Sequence, residues 1–575
     1  MRPIHFLWIV GIAICCAVPQ DAYADPVPSA GSEESRFRKE KEFQENTEKL
    51  MTATKELVEP AKPSEETQAP VSAEEGRPIL VKEVRFLGNR SVSESELRPM
   101  VEPLIGHEVT LAQIRDAASE IRKYYRSLGF VAAYVYVPSQ QMTDGVLKLD
   151  ILEGRISEVK ISDNHYFSTP LLEKYAHLLK PGEVLKYDDL WRTVNRLNQR
   201  RDIQAKAVLE PGASTGTTAI DISVKDQFPI HWSTDVSNSG ARNTGKYRWG
   251  LSGEHNNLTG HADELSGTAL LGQGADALGG AYSIPLNIES GTRFGYGVSH
   301  VTTKIGGDFR PLDVRGAATT HNFSLLQPLL EKEGFLIDGK VGYDIKSIRN
   351  KLLGQSSGKD ELRILSGTLS FDATDADGRT LSSHGVYQGL SGIMGGSDPV
   401  DDEASRIGTG GRFFIYRGSI MRFQKLPHEL LLSLRGEWQA TSYAVPASEQ
   451  FSLGGARTVR GYQDGEYLAD LGALGAADLF IPVFFFPEDW KLPGANESLR
   501  KQVQMVGFAD IGGGELKKFL PGELPDKFLA GAGAGVRVHL YDNMYGRFEW
   551  AFPLGDEPFD HRKSAYYFTV AYEIA

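Results

Sequence analysis

The last ten residues, 566–575, read YYFTVAYEIA and alternate between apolar and more polar side chains. In an extended strand this alternation separates two faces. The apolar face carries Tyr566, Phe568, Val570, Tyr572 and Ile574. The edge of such an aromatic-rich strand must be paired, because unpaired N–H and C=O groups invite association with other chains. Closure of a β-barrel onto its first strand would pair this edge.

The same two-residue period runs through the region from about residue 228 onwards, which is rich in Gly and aromatic residues. Period alone does not distinguish a soluble sandwich from a membrane barrel, since each has one apolar face. The placement of charges, the many aromatic residues and Gly-rich segments such as 365–369 favour the barrel. At roughly 22 residues per tilted strand and connection, this region predicts about 16 strands.

The composition limits the classes of protein that fit the chain. It has 575 residues, 41% hydrophobic and 24% charged, a net charge of −13 and a mean hydropathy of −0.29. Beyond residue 24 no apolar run approaches the roughly 18 residues of a membrane helix, so a helical membrane protein is excluded. The acidic balance argues against nucleic acid as a partner, because phosphates require a basic face. A soluble multidomain protein or a β-barrel remains.

The first 24 residues have the pattern of a secretory signal peptide, with Arg2, an apolar stretch over 6–18 and Ala22-Tyr23-Ala24 as the cleavage site. The two cysteines, Cys15 and Cys16, both lie inside it. We therefore expect an exported chain without cysteine, which excludes disulfides, thiol catalysis and thiolate metal sites.

A polar segment follows the predicted signal. From Ser32 to about Leu57 it is dense in Glu, Lys, Arg and Gln, with apolar residues seven positions apart. The pattern predicts a polar helix with a thin apolar seam, and a solvated or partly disordered segment fits it equally well. Prolines between residues 59 and 78 then predict a flexible linker.

Two related units come next. Glu83, Asn89 and Glu108 recur 75 positions later as Glu158, Asn164 and Glu183. Each unit is predicted to run strand, helix, helix, strand, strand, with the helices on one face of a three-stranded sheet and an open outer edge. The predicted helices are 93–101, 111–128, 168–179 and 188–201, and the closing strands of the first unit are 132–137 and 146–152.

Two segments resemble ligand-binding motifs, but each lacks a residue that the motif requires. Residues 240–246 have phosphate-loop spacing, but Tyr247 occupies the Ser/Thr position and no helix is predicted to follow. Residues 375–378 resemble half of a calcium loop, but His384 stands where a bidentate Glu belongs, so we expect a turn between strands. The 13 His residues show no ligand spacing. We expect no enzymatic activity, no cofactor and no metal.

The most informative segments are GGARTVRGY at 454–462 and FADIG at 508–512. In these the chain resembles the two-partner secretion transporters of TpsB type, the ShlB/FhaC/HecB haemolysin secretion/activation family. The family's loop motif matches Val459, Arg460, Gly461 and Tyr462, and its barrel-wall motif matches Phe508, Asp510 and Gly512. Tyr125, Gly129-Phe130 and Glu153-Gly154-Arg155 in the first unit also fit the family's POTRA domain.

The resemblance implies a mainly β fold, in which two small α+β POTRA domains precede a 16-stranded transmembrane β-barrel. It implies an outer-membrane protein of a Gram-negative bacterium, with the POTRA domains in the periplasm. The implied cargo is an unfolded, TpsA-like, β-helical exoprotein, exported without nucleotide hydrolysis. Other implied partners are outer-membrane lipid and, during biogenesis, the barrel assembly machinery and periplasmic chaperones.

For the site, the resemblance places Arg460 at the tip of a loop folded back into the barrel, where it would pair with Asp510. Our hypothesis is that Arg460 sets a secretion-competent loop position. The resemblance also implies that the N-terminal helix plugs the barrel. Cargo could add to an exposed sheet edge by β-augmentation. The candidate surfaces are the sheet edges and helix grooves near Ala132, Tyr134, Tyr136, Ile220 and Ile222.

The predicted organisation is 1–24 signal peptide, 25–58 polar helix, 59–78 linker, 79–155 first POTRA domain, 156–226 second POTRA domain and 227–575 barrel. Two alternatives stay open. One is a factor that inserts other barrel proteins into the outer membrane, and the other is a passive porin or receptor, in which two POTRA units and the Arg460 loop would have no role.

Overall fold

The structure is a computed structural model that describes residues 29–34, 37, 78–141, 143–487, 489–493, 497–541 and 543–574. The predicted signal peptide, most of the predicted polar helix and nearly all of the predicted linker lie outside these residues. Within the described residues, no helix is long and apolar enough to cross a membrane.

The first α/β unit contains two helices beside a three-stranded sheet. Its elements are β1 (Ile79–Val81), β2 (Glu83–Leu87), α1 (Glu94–Val101), β3 (His107–Val109), α2 (Leu111–Ser127), β4 (Tyr134–Tyr136) and β5 (Val146–Leu152). The strand order is β2-β5-β4, with β2 and β5 parallel, while β1 and β3 pair separately. Capping boxes at Ser93 and Thr110 start the helices.

The core of the first unit lies between its helices and its sheet. Buried Leu97, Ile114 and Ile121 from the helices pack with Leu147 and Leu149 of β5. Apolar residues recur at helical spacing in α2 and alternate in β5, so each element presents one apolar side to the other.

Tyr125 of α2 is also fully buried, and its hydroxyl donates a hydrogen bond to Glu153 over 3.3 Å. Burial, with a smaller contribution from Glu153, raises the pKa of Tyr125. The phenol therefore stays protonated and remains a donor over the physiological pH range.

The second α/β unit repeats this arrangement. Its elements are β6 (Arg155–Ser162), α3 (Thr169–Tyr175), α4 (Tyr187–Asn198), β7 (Ile203–Pro211) and β8 (Thr217–Asp226), and its strand order is β6-β8-β7. Two helices are shorter than predicted. Helix α3 ends before a turn at Ala176. Helix α4 stops at Asn198, whose side chain instead binds the backbone N–H and C=O of Ala205 in β7.

The prediction of an open edge at Ile220 and Ile222 is wrong. Both residues lie in β8, which is the central strand because it pairs with β6 on one side and with β7 on the other. Their side chains are buried in the core of the unit. The edge strands are β6 and β7 in the second unit and β2 and β4 in the first.

Sixteen antiparallel strands form a closed barrel, as predicted. The first eleven barrel strands are β9 (Ile230–Ser237), β10 (Arg248–His255), β11 (Glu264–Gly272), β12 (Ala275–Asn287), β13 (Thr292–Lys304), β14 (Arg315–Lys332), β15 (Phe335–Leu352), β16 (Gln355–Asp375), β17 (Gly378–Gly389), β18 (Phe414–Lys425) and β19 (Leu431–Thr441). Two short strands that are not part of the barrel sheet, β20 (Phe451–Leu453) and β21 (Tyr467–Ala469), then pair with each other. The last five barrel strands are β22 (Leu471–Pro482), β23 (Val503–Glu515), β24 (Asp526–Leu540), β25 (Met544–Pro553) and β26 (Ala565–Ile574). A short helix, α5 (Leu499–Gln502), precedes β23.

Closure occurs between the last strand and the first. Strand β26 pairs with β9 from Thr569 opposite Ser237 to Ile574 opposite Trp232. The alternation in β26 matches the two faces of the barrel, because Tyr566 and Ile574 are each 56% exposed on the outside whereas Tyr567 is buried inside. We call the end next to the α/β units the proximal end and the opposite end the distal end.

Candidate functional site

The inner loop, residues 442–470, connects the distal ends of β19 and β22 and folds back against the barrel wall. Strands β20 and β21 pair at its base, with Phe451 opposite Ala469. Its tip carries the sequence motif, and Val459 and Tyr462 there are fully buried. Gly461 has a φ of 104°, and an added Cβ would lie 2.8 Å from the backbone N of Pro553. Only glycine fits this turn against the wall.

Arg460 at the tip forms the predicted contact with Asp510 of β23. Its Nε lies 2.7 Å from Asp510 Oδ2, its Nη2 lies 2.7 Å from Oδ1, and its backbone N–H donates to Oδ2 over 2.9 Å. The guanidinium carbon also sits 3.6 Å from the centroid of the Phe508 ring. A fork that binds both carboxylate oxygens and stacks on an aromatic ring is a geometry that lysine cannot reproduce.

Two further carboxylates face the same guanidinium. Asp478 of β22 lies 2.6 Å from Arg460 Nη2, and Glu549 of β25 lies 3.3 Å from Nη1. Arg537 lies within 4 Å of both of these acids, and Arg547 lies 3.8 Å from Glu549. Three arginines thus meet three carboxylates at a largely buried place, where charges require partners.

The rest of the loop motif is held by hydrogen bonds to the last barrel strand and its neighbouring loop. The Gly461 N–H donates to the Tyr567 hydroxyl over 3.0 Å, and this hydroxyl donates to the Tyr462 carbonyl over 2.6 Å. The Tyr462 hydroxyl donates to the Asp556 carbonyl over 3.0 Å. The tip is therefore fixed to β26 as well as to β23.

Gly512 completes the wall motif by permitting close packing. A Cβ at this position would lie 3.0 Å from Val459 Cγ2 and 2.9 Å from Leu453 Cδ2. Phe508, Asp510 and Gly512 are spaced two apart, so they share the inner face of β23. The structure therefore brings all seven predicted motif residues into one cluster.

A second buried ion pair fixes the returning part of the inner loop. Glu466 Oε1 lies 2.7 Å from Lys527 Nζ, and both side chains are buried. Glu466 also accepts the Phe559 N–H over 2.7 Å, and the Phe559 ring centroid lies 3.4 Å from Lys527 Nζ. At the loop base, Asp470 binds Arg406 through both carboxylate oxygens.

The N-terminal turn, residues 30–34, is helical and lies inside the barrel. Helical structure begins at Ala30, and Ser29 supplies the cap by accepting the Ser32 N–H. Glu33 lies 3.7 Å from Arg248 of β10, and Glu34 lies 3.5 Å from Lys346 of β15. Both cations are on the inner wall, so the turn occupies lumen space. The remainder of the predicted plug helix, apart from Phe37, lies outside the described residues.

The second α/β unit is bound to the proximal turns of the barrel. Arg196 Nε lies 3.0 Å from each carboxylate oxygen of Glu331, and Arg200 donates to the Ala262 carbonyl over 2.6 Å. Asp202 Oδ1 lies 2.5 Å from His231 Nε2 at the start of β9. These contacts hold the unit at the proximal opening.

The candidate cargo residues of the first unit are not equivalent. Tyr134 and Tyr136 stand on the edge strand β4, with rings stacked 6.1 Å apart, and Tyr134 is 53% exposed. Ala132 lies just before β4 and packs against the core of the second unit. Only the two tyrosines therefore lie on an accessible edge.

Sequence reasoning did not single out Asp478, Glu549, Arg537 or Lys346. The available signal was alternation, because each lies at an inward position of a barrel strand, where a charged side chain has to find a partner in the lumen. Period alone does not say which inward charges meet, because it carries no information on the stagger of the strands or on where the inner loop enters.

Comparisons with known proteins support one family. Residues 216–538 match the family model described as haemolysin secretion/activation protein ShlB/FhaC/HecB, and residues 79–154 match a POTRA domain of ShlB type. The heme/hemopexin transporter protein HuxB of Haemophilus influenzae (strain 86-028NP) is 24% identical over 71% of this chain and 73% of the relative. The outer membrane transporter CdiB of Dickeya dadantii is 23% identical over 82% and 83%.

Solved structures have the same fold. CdiB from Escherichia coli superposes with a TM-score of 0.73 at 18% identity, covering 96% of this chain and 100% of that one. BamA from Haemophilus ducreyi, lacking its first three POTRA domains, gives a TM-score of 0.52 at 12% identity over 86% and 100%. At these sequence identities the structural similarity shows a shared fold.

Proposed function

Because the chain belongs to the ShlB/FhaC/HecB haemolysin secretion/activation family, we propose that it exports one dedicated exoprotein through its barrel. It is an outer-membrane transporter of two-partner secretion, with its two α/β units in the periplasm. The partner of such a transporter is a secreted exoprotein of TpsA type. The proximal end of the barrel is accordingly its periplasmic end.

The Arg460 cluster is the observation that carries the proposal. A passive pore has no need for a buried loop whose tip is bound to β22, β23, β25 and β26 through four separate groups. Such an arrangement supports a loop with a defined resting position in the lumen, from which cargo can displace it. We propose that Arg460 sets that position.

We propose that unfolded cargo first pairs with the edge strand β4 of the first unit. An open strand edge offers main-chain hydrogen bonds to any extended segment, whatever its side chains. The stacked rings of Tyr134 and Tyr136 add apolar surface beside that edge. Strand β7 is the corresponding edge of the second unit and replaces Ile220 and Ile222 as the candidate surface there.

The double substitution Tyr134→Ala/Tyr136→Ala is expected to weaken binding of the unfolded cargo N-terminal region about tenfold, because two aromatic contacts of roughly 0.5–1.5 kcal/mol each are lost. The measurement is titration of the purified transporter with that region held unfolded in mild urea. Tyr166→Ala is the matched control, because Tyr166 is exposed to a similar extent, 51%, but lies outside β4. Equal affinities for the wild type and the double variant would contradict the β4 assignment.

Deletion of the gene distinguishes secretion from general barrel assembly. We expect one very large exoprotein to disappear from the medium while the outer-membrane protein profile stays unchanged. Loss of many barrel proteins from the outer membrane would instead indicate an assembly factor. Continued export without the gene would indicate a porin or receptor.

Two further features belong to this proposal. We propose that the N-terminal segment closes the resting pore, because residues 30–34 already occupy lumen space. We also propose that the barrel assembly machinery and periplasmic chaperones act on the chain during biogenesis. Folding of the cargo outside the cell would drive export, since a folded product cannot slide back.

A further inference from the structure

Lys346 is a buried cation shared by two segments that are far apart in sequence. Its Nζ lies 2.8 Å from Glu449 Oε1 of the inner loop and 3.5 Å from Glu34 Oε2 of the N-terminal turn. The Lys346 side chain is only 1% exposed, and the Glu449 side chain is fully buried. A buried ammonium requires compensating carboxylates, and here the turn and the loop each supply one.

The two segments also touch directly. A Cβ on Gly31 would lie 3.1 Å from the backbone N of Ser448 and 3.3 Å from its Cβ. Ser448 is the neighbour of Glu449, so the turn covers the part of the loop that binds Lys346. The turn thereby helps to exclude water from the Lys346 ion pair.

Glu449 transmits this contact to the rest of the inner loop. Arg417 Nη2 binds both the carbonyl and Oε2 of Glu449 at 3.0 Å, and Gln439 donates to the same carbonyl over 2.8 Å. The chain then enters β20, which leads to the Arg460 tip. Displacement of Glu449 would therefore alter the base from which the tip is held.

We propose that Lys346 is a positioning residue that couples the N-terminal turn to the inner loop. When the turn leaves, Lys346 loses one of its two carboxylates, and water reaches the Lys346–Glu449 pair and weakens it by raising the local dielectric. The inner loop is then easier to displace. Linkage is reciprocal, so displacement of the inner loop also weakens binding of the N-terminal turn in the lumen. This inference rests on the proposed function, in which both segments close the resting pore.

The test uses the full-length chain with Thr458→Cys as a reporter of the loop tip. Thr458 is 7% exposed next to the motif, and the only natural cysteines lie in the predicted signal peptide. Two quantities are measured, the labelling rate of this cysteine by an impermeant maleimide and the conductance in planar bilayers. Glu34→Gln and Glu33→Gln each remove one negative charge from the turn, the first facing Lys346 and the second facing Arg248.

With Lys346 present, both substitutions are expected to raise conductance and to increase Thr458→Cys labelling about tenfold, the effect of one weakened buried ion pair. In a Lys346→Met background, Glu33→Gln should still raise conductance but no longer change labelling. Lys346→Arg keeps the charge and should restore the coupling. A merely structural role of Lys346 would give none of this background dependence.

The two readouts separate the two proposals. Raised conductance with unchanged labelling in the wild-type background would overturn the coupling, and so would an equal labelling increase from Glu33→Gln in both backgrounds. Raised labelling with unchanged conductance would keep the coupling but reject closure of the pore by the N-terminal segment.

Discussion

Arg460→Ala is expected to reduce export of the exoprotein by more than tenfold while the barrel still folds. The substitution leaves Asp510, Asp478 and Glu549 facing one another without the cation that lies between them. Removal of one member of a buried ion pair typically costs about 3–5 kcal/mol. Here that cost destabilises the loop position in which the tip contacts the barrel wall. The loop tip should leave the wall, because solvation of the carboxylates becomes more favourable than their burial.

The measurement is the amount of exoprotein in the medium, normalised to transporter in the outer membrane and to its heat-modifiable migration as a sign of folding. Export by Arg460→Lys is expected to lie between that of the wild type and that of Arg460→Ala, since an ammonium cannot bind both oxygens of Asp510 and stack on Phe508. Arg349→Ala is the matched control. Arg349 is an arginine of a barrel strand, β15, but its side chain is exposed and its contact with Glu361 is long, at 3.9 Å. Wild-type export and conductance in Arg460→Ala would refute the role of this residue.

Asp510→Asn tests the same position from the wall side. The amide keeps one acceptor for the Arg460 backbone N–H but loses the charge that the two guanidinium bonds require. We expect export to fall severalfold, and less than in Arg460→Ala, because Asp478 and Glu549 still face the guanidinium. A larger loss in Asp510→Asn than in Arg460→Ala would show that the wall carboxylate matters for more than holding Arg460.

The barrel was predictable from the sequence because its two environments impose a period of two. A strand with one apolar outer face and one polar inner face records both faces in alternate residues, as in 566–574. Pairing partners need not be known for this, so strand type and approximate number follow from local pattern. The Arg460–Asp510 contact was accessible for a different reason, namely the resemblance of two short motifs to a family.

Strand order inside the second α/β unit was not accessible in the same way. The sequence of β8, TTAIDISVKD, alternates as an edge strand would. It lies in the centre because the chain crosses over and inserts β8 between β6 and β7, which is a property of the whole unit. Ile220 and Ile222 were therefore recognised as strand residues but placed at the wrong position in the sheet.

The additional charges around Arg460 show the same limit. Asp478, Arg537 and Glu549 lie on three different strands, and each is separated from Arg460 by many residues. Alternation places each of them on the inner face. Which inward charges meet depends on the stagger of the strands and on where the inner loop enters, and neither is recorded in local sequence.

Deletion of residues 25–58 is expected to raise single-pore conductance severalfold. The deletion removes the turn that binds Arg248 and Lys346, together with Phe37, which packs against Ala277 and Val301 of the wall. A helix over 32–57 would be about 39 Å long at about 1.5 Å per residue, longer than the roughly 25 Å apolar belt of such a barrel. The measurement is current through purified protein in planar bilayers, and unchanged currents would reject the plug.

A reversible version of this experiment distinguishes closure by the segment from damage caused by deletion. In a Gly31→Cys/Ser448→Cys variant the two Cβ atoms would lie about 3.3 Å apart, close to the 3.5–4.5 Å that a disulfide spans. The oxidised form should remain closed and retain cargo in the periplasm, and reduction should restore opening and export. The single variants should behave alike with and without reductant. If the oxidised double variant conducted as freely as the reduced one, the turn would not need to separate from the inner loop for the pore to open.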